Sequence, residues 1–176
     1  MTRPGKYALV ERERRFLLAG PPDPAAATAV RVITDRYVTG TRLRLRRVEL
    51  DGGGCELKFT QKVPASGAGA IQGLITNTYL SQAEYDVLAV LPAEVLTKTR
   101  FSLPPLGVDV FDGRLAGLVL AEAEFGTDEE AASFAPPADA VAEVTDDSRF
   151  TGGSLVRATR GELVGWLAEY GVEVEA

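Results

Sequence analysis

The stretch Glu11-Arg12-Glu13-Arg14-Arg15-Phe16-Leu17 places carboxylates at i and i+2 and a base at i+4. On a β-strand these three residues share one face, because successive side chains alternate. Two like charges on one face repel, and in a dry interior that repulsion is costly. A bound cation removes the cost. The base beside the carboxylates suits an anion, such as a phosphate, that arrives with the cation. A solvated strand face carrying mixed charges has the same pattern, so the rest of the chain decides between the two.

The residue types narrow the chemistry. There is no histidine, which excludes Ser-His-Asp and Cys-His catalysis and every His-ligated metal site. Any metal is then held by oxygen, which points to magnesium, manganese or calcium. A formal net charge of -6 argues against general nucleic-acid binding. The lone Cys55 forms no intramolecular disulfide, so a cytoplasmic location is expected. No apolar run approaches the length of a membrane span, and no basic segment followed by an apolar core opens the chain, so neither a membrane span nor a signal peptide is expected. With 176 residues, 45% of them hydrophobic, residues 1–176 are expected to form one globular domain.

The alternation of apolar and polar residues predicts strands over 9–18, 33–38, 41–49, 55–63, 71–80, 95–103, 108–111 and 115–125. Residues 25–30 read as a short alanine-rich helix. Ser81 to Glu84 and Thr127 to Glu130 are capping boxes that open helices, and Thr159 to Glu162 could cap a third. In that last helix Leu163, Trp166, Leu167 and Tyr170 form the buried stripe. Gly152-Gly153 reads as a loop. Seven or eight strands joined mostly by short turns fit an α+β fold: an antiparallel sheet closed on itself into a β-barrel, with helices packed on its apolar outer row.

Several strands carry a charged row opposite an apolar one. The carboxylates are Glu11, Glu13, Glu122 and Glu124, with Asp109 as a further candidate; the bases are Arg15, Arg44, Arg46, Lys58, Lys62, Lys98 and Arg100. In an open sheet these rows face water. In a closed barrel they line the interior, and such an interior needs water, metal ions and a polyanion. Seven bases against five carboxylates leave a surplus of two positive charges, and a divalent metal adds two more. Triphosphate carries about four to five negative charges at neutral pH. Arginine forks and lysine point charges are its usual partners.

At this point the chain resembles the CYTH family, the triphosphate tunnel metalloenzymes. Glu11-Arg12-Glu13-Arg14-Arg15 is similar to the family's opening Glu-x-Glu-x-Lys signature, and Leu43-Arg44-Leu45-Arg46 to its next strand motif. Phe59-Thr60-Gln61-Lys62 resembles a strand ending in a functional lysine, and Lys98-Thr99-Arg100-Phe101 the Lys-Thr-Arg-Tyr element. Val108-Asp109-Val110-Phe111 through Ala121-Glu122-Ala123-Glu124-Phe125 follows the long C-terminal hairpin, and Glu143-Val144-Thr145 a late Glu-Val-Thr segment. The resemblance implies an eight-stranded antiparallel tunnel that binds a triphosphate-containing small molecule. It implies Mg2+ or Mn2+ on Glu11, Glu13, Glu122 and Glu124, with Asp109 in support. Arg15, Arg44, Arg46, Lys58 and Arg100 would hold phosphate, and Lys62 and Lys98 would stand near the attacking water.

Three positions depart from the pattern. Arg15 replaces the opening lysine. Gln72 to Asn77 carries no charge where the family has an Arg and a Glu-x-Glu pair, and the bases expected around Thr151-Gly152-Gly153 are missing. The expected function is metal-dependent hydrolysis of a phosphoanhydride bond in inorganic triphosphate or a small organic triphosphate. The alternatives are a class IV-like adenylate cyclase and a non-catalytic polyphosphate or nucleotide-binding protein.

Overall fold

The computed structural model describes residues 5–175. Residues 1–4, part of the segment read for a leader, and Ala176 lie outside the described residues. Among the described residues nine strands form: β1 (Leu9–Leu18), β2 (Ala29–Val38), β3 (Leu43–Leu50), β4 (Cys55–Pro64), β5 (Ile71–Tyr79), β6 (Ala93–Leu103), β7 (Leu106–Phe111), β8 (Val119–Glu124) and β9 (Ala140–Glu143). Eight of them close into an antiparallel barrel in the order β1-β5-β4-β3-β2-β6-β7-β8 and back to β1. β5 pairs with Leu9 to Arg12 of β1, while β9 pairs with Phe16 to Leu18 further along it. Closure removes the exposed edges that an open sheet would carry.

The helices are α1 (Gln82–Leu88), α2 (Asp128–Ser133), α3 (Gly152–Leu155) and α4 (Arg160–Glu169). All three capping boxes form; at α1 the Ser81 N–H donates to Glu84 at 2.7 Å while the Glu84 N–H donates to the Ser81 hydroxyl at 3.4 Å. Some boundaries differ from the sequence reading. The expected helix over 25–30 shrinks to one 3₁₀ turn at Pro24–Ala26, and β2 begins at Ala29 because that residue pairs with Ser102 of β6. Cross-strand pairing overrides alanine's weak helical preference. The strand expected from Leu115 starts at Val119, after a 3₁₀ turn at Gly113–Leu115. Gly152 and Gly153 open α3 instead of lying in a loop.

α1 and α2 pack on the outer face, as expected. Tyr85 of α1 covers Leu45 and Leu57, and Phe134 beyond α2 packs near Phe16, Val108 and Ala121. The C-terminal helices behave differently. Leu155, Leu163 and Leu167 pack with Leu17, Leu96, Phe111 and Leu120. By alternation, Leu17 shares a face with Glu13 and Arg15, Leu96 with Lys98, Phe111 with Asp109, and Leu120 with Glu122. The charged row and this apolar cluster therefore lie on the same inward face, and α3 and α4 close one end of the barrel. Each fully buried Leu or Phe there contributes about 1.5–3 kcal/mol.

Candidate functional site

The remaining inward rows surround a cavity of about 720 Å³. Its wall contains Glu11, Glu13 and Arg15 of β1, Arg44 and Arg46 of β3, and Lys58 and Lys62 of β4. Lys98 and Arg100 of β6 and Glu122 and Glu124 of β8 are there too, so every expected residue but one lines the wall. Asp109 does not line the wall. It is 0% exposed and stands behind Lys98 and Arg100, holding both as ion pairs.

The uncharged strand β5 contributes polar groups instead. Its pairing with β1 jumps from Glu11↔Gly73 to Arg12↔Ile71, which leaves Gln72 as the extra residue of a bulge. Bulges re-aim side chains, and Gln72 Oε1 here accepts a 2.9 Å hydrogen bond from Arg15 Nη2. Gly73 makes the bulge fit: its φ is +143, and a Cβ there would meet the Val63 carbonyl oxygen at 2.2 Å. Asn77, opposite Thr60, accepts the Thr60 hydroxyl at 2.8 Å. Thr60 in turn accepts from Arg44 Nη2 at 3.4 Å. The Glu143-Val144-Thr145 segment also acts on Arg15. Arg15 Nη2 donates to the Thr145 carbonyl at 2.8 Å, and the Arg15 N–H donates to the Thr145 hydroxyl at 3.1 Å.

The bases are held by carboxylates. Lys62 pairs with Glu11 at 2.7 Å, and Lys58 pairs with Glu56 at 2.9 Å while lying over the Tyr79 ring. Arg100 also donates to Glu122. Burial alone would raise Glu122, yet Arg100, Lys98, Lys62 and Arg15 hold its carboxyl well below the usual range. Glu13 is the opposite case. Burial first, then Glu122 and Glu11, push its carboxyl up to about 7, against the lowering effect of Lys62 and Arg15. Its nearest base is Arg15 Nη1 at 3.5 Å, beyond hydrogen-bond distance.

That arrangement bears on a metal. Among the described residues no three acidic side chains converge into a ready-made cage. Magnesium needs no such cage, since it commonly takes one or two carboxylates and completes its shell with water and phosphate oxygens. Glu13 is 7% exposed, crowded by like charge and without a close donor, a chemistry that suits a hard cation. The donor set therefore fits a hard, oxygen-liganded divalent ion.

Other wall residues were not singled out from the sequence: Tyr37, Arg42, Glu94 and Arg157. Asp35, behind the wall, was missed as well; it is held by Arg46 and Arg44. Alternation along β2 puts Asp35 and Tyr37 on the inward face, and that signal was available. Burial, then Asp35, pushes the Tyr37 hydroxyl up to about 12, so it stays neutral. A Cβ on Gly152 would meet that hydroxyl at 2.0 Å, so only glycine lets α3 approach it. Nothing local marks Arg157, which reaches the wall from the turn after α3.

A second, open depression of about 590 Å³ is lined by Glu143, Asp146, Asp147 and Tyr170. Glu143 is paired with Arg14, and Asp147 with Arg149. Its acidic wall does not suit a polyanion.

No protein-family model matches the chain, and no curated protein matches it. Among solved structures, the crystal structure of the inorganic triphosphatase NE1496 matches with a TM-score of 0.55 and 26% identity, over 85% of this chain and 96% of that one. Another crystal structure, of the hypothetical protein NE1496, matches with the same TM-score and identity over 85% of this chain and 99% of its own. A conserved hypothetical protein from Pyrococcus furiosus covers 69% of this chain and 83% of its own at 16% identity and a TM-score of 0.43.

Proposed function

We propose that this chain is a triphosphate tunnel hydrolase of the CYTH type, cleaving a phosphoanhydride bond of inorganic triphosphate or a small organic triphosphate with Mg2+ or Mn2+. One observation carries the reading: the wall of a closed barrel cavity carries the seven expected bases, from β1, β3, β4 and β6, with a buried, donor-poor carboxylate, Glu13, among them. The likeness to an inorganic triphosphatase at 26% identity supports it.

The proposed roles are those the family resemblance implies, and the make-up of the cavity wall supports them. Arg15, Arg44, Arg46, Lys58 and Arg100 bind and orient the phosphates, the arginines through forks and Lys58 as a point charge. Lys62 and Lys98 stand near the attacking water and the terminal phosphorus. Glu13 and Glu11, with Glu122 and Glu124 across β8, hold the cation, and Asp109 supports Lys98 and Arg100 from behind. When bound, the cation neutralises charge on the phosphate oxygens. The fixed bases offset the charge that develops in the transition state without reorganising, which is the main work in phosphoryl transfer.

Phosphate release from tripolyphosphate with Mg2+ or Mn2+ tests this reading, and chelation should abolish it. A second reading rests on the uncharged β5: a polyphosphate-binding protein without turnover. Saturable binding of tripolyphosphate with no phosphate released under either metal would select that reading.

A further inference from the structure

We propose that Asp35 is a positioning residue that aims the Arg44 and Arg46 guanidinium groups at the substrate's phosphates; this rests on the phosphate-binding reading above. Asp35 lies on β2 directly opposite Arg46 on β3, and it is 1% exposed. Arg46 Nε donates to Asp35 Oδ1 at 2.6 Å, and Arg46 Nη2 donates to Oδ2 at 2.7 Å. The fork is gripped along one edge, which leaves Nη1 for the cavity that Arg46 lines. Arg44 Nε lies 3.6 Å from the same Oδ1 and has no hydrogen-bond partner among the described residues. One carboxylate thus sits behind two bases.

Asp109 shows the same construction on other strands. It lies on β7 opposite Arg100 on β6, and it accepts from Arg100 Nε at 2.6 Å and from Nη2 at 2.7 Å. Lys98 is its second base. β3 and β6 both flank β2, so the two clamps present four bases from the strands on either side of it. A long side chain held before the ligand arrives loses less entropy on binding. Phosphoryl transfer depends on such alignment.

The aiming role and a merely electrostatic one have opposite signs. Asp35 is an anion close to a site for anions. If it acted only through its charge, Asp35→Asn would tighten tripolyphosphate binding. If it aims the arginines, Asp35→Asn weakens binding in spite of the added net positive charge. Asp35→Glu keeps the charge but moves the carboxylate by one methylene, and so separates aim from charge a second time.

The experiment measures tripolyphosphate binding by calorimetry and steady-state hydrolysis with Mg2+ for wild type, Asp35→Asn, Asp35→Glu and Arg46→Met, and for Asp35→Asn in the Arg46→Met background. We expect Asp35→Asn to bind more weakly and to lose on the order of 100-fold in kcat/KM. Most of that loss should vanish when Arg46 is already gone, because the two act as a unit. Binding as tight as wild type or tighter, with unchanged kcat/KM, overturns the proposal. Should Asp35→Asn fail to fold, Asp35→Glu decides: reduced kcat/KM at an unchanged melting temperature supports aiming, and unchanged kcat/KM overturns it. Wild-type protein that neither binds nor hydrolyses tripolyphosphate overturns the functional reading and this proposal together, whereas a wild type that binds and turns over beside unaffected Asp35 variants overturns only this one.

Discussion

Along β1 the inward row reads Glu11, Glu13 and Arg15, and then Leu17; along β8 it reads Leu120, and then Glu122 and Glu124. Two interiors are built on the same strands. One is a cavity walled by charge. The other is dry, filled by Leu17, Leu96, Phe111 and Leu120 against the helices that close the barrel. The dry half gains free energy from burying apolar surface. The charged half gains little of that kind, since buried ion pairs roughly offset their own desolvation. Stability and ligand binding are thus carried by different stretches of the same strands, and substitutions in the two halves should have different consequences.

The largest effect is expected from Lys98→Met in the charged half, with kcat for tripolyphosphate falling by on the order of 100-fold or more. A raised KM with unchanged kcat would make Lys98 a phosphate ligand only. In the dry half, Leu163→Ala should cost about 3 kcal/mol in a urea unfolding titration, since Leu163 is fully buried. KM should not change, and a KM that shifts alongside stability would join the two halves.

Glu13→Gln sharpens the contrast, because here the wild-type residue weakens the metal-free fold. The Glu13 carboxyl is raised from 4.5 to about 7. Between those values the folded protein keeps a proton that the unfolded chain has lost, so stability declines as pH rises from about 4.5 through about 7. Without metal, Glu13→Gln should therefore be more stable than wild type at pH 8, by roughly 3 kcal/mol, and no more stable at pH 4. Equal melting temperatures at pH 8 would contradict the crowding of Glu13. The smallest effect belongs to Thr159→Ala, which removes the side-chain cap of α4. It should cost about 1 kcal/mol by urea unfolding and leave turnover intact.

How far the sequence reveals this division depends on the residue. Clean alternation makes β1, β3 and β4 readable, and it assigns the inward bases Arg44, Arg46, Lys58 and Lys62 correctly. Capping boxes make α1, α2 and α4 readable because their signal is local. Gln72 is hidden because a bulge breaks the period of two. Alternation along β2 gives the face of Asp35 but not its role, because its partners Arg44 and Arg46 become evident only with the β2–β3 register. Leu17, Leu96 and Leu120 continue charged rows, so alternation assigns their face but not what covers it. The cover comes from α3 and α4, far along the chain, and β9 likewise exists only through its distant pairing with β1.

A crystal structure with tripolyphosphate and Mg2+ would test most directly whether the charged half is the substrate site. The expected result is one triphosphate inside the barrel, with Arg44, Arg46, Lys58 and Arg100 within hydrogen-bond distance of its oxygens and a cation between the phosphates and Glu13. Triphosphate found only on the outer surface, with the cavity holding water alone at saturating ligand, would contradict it.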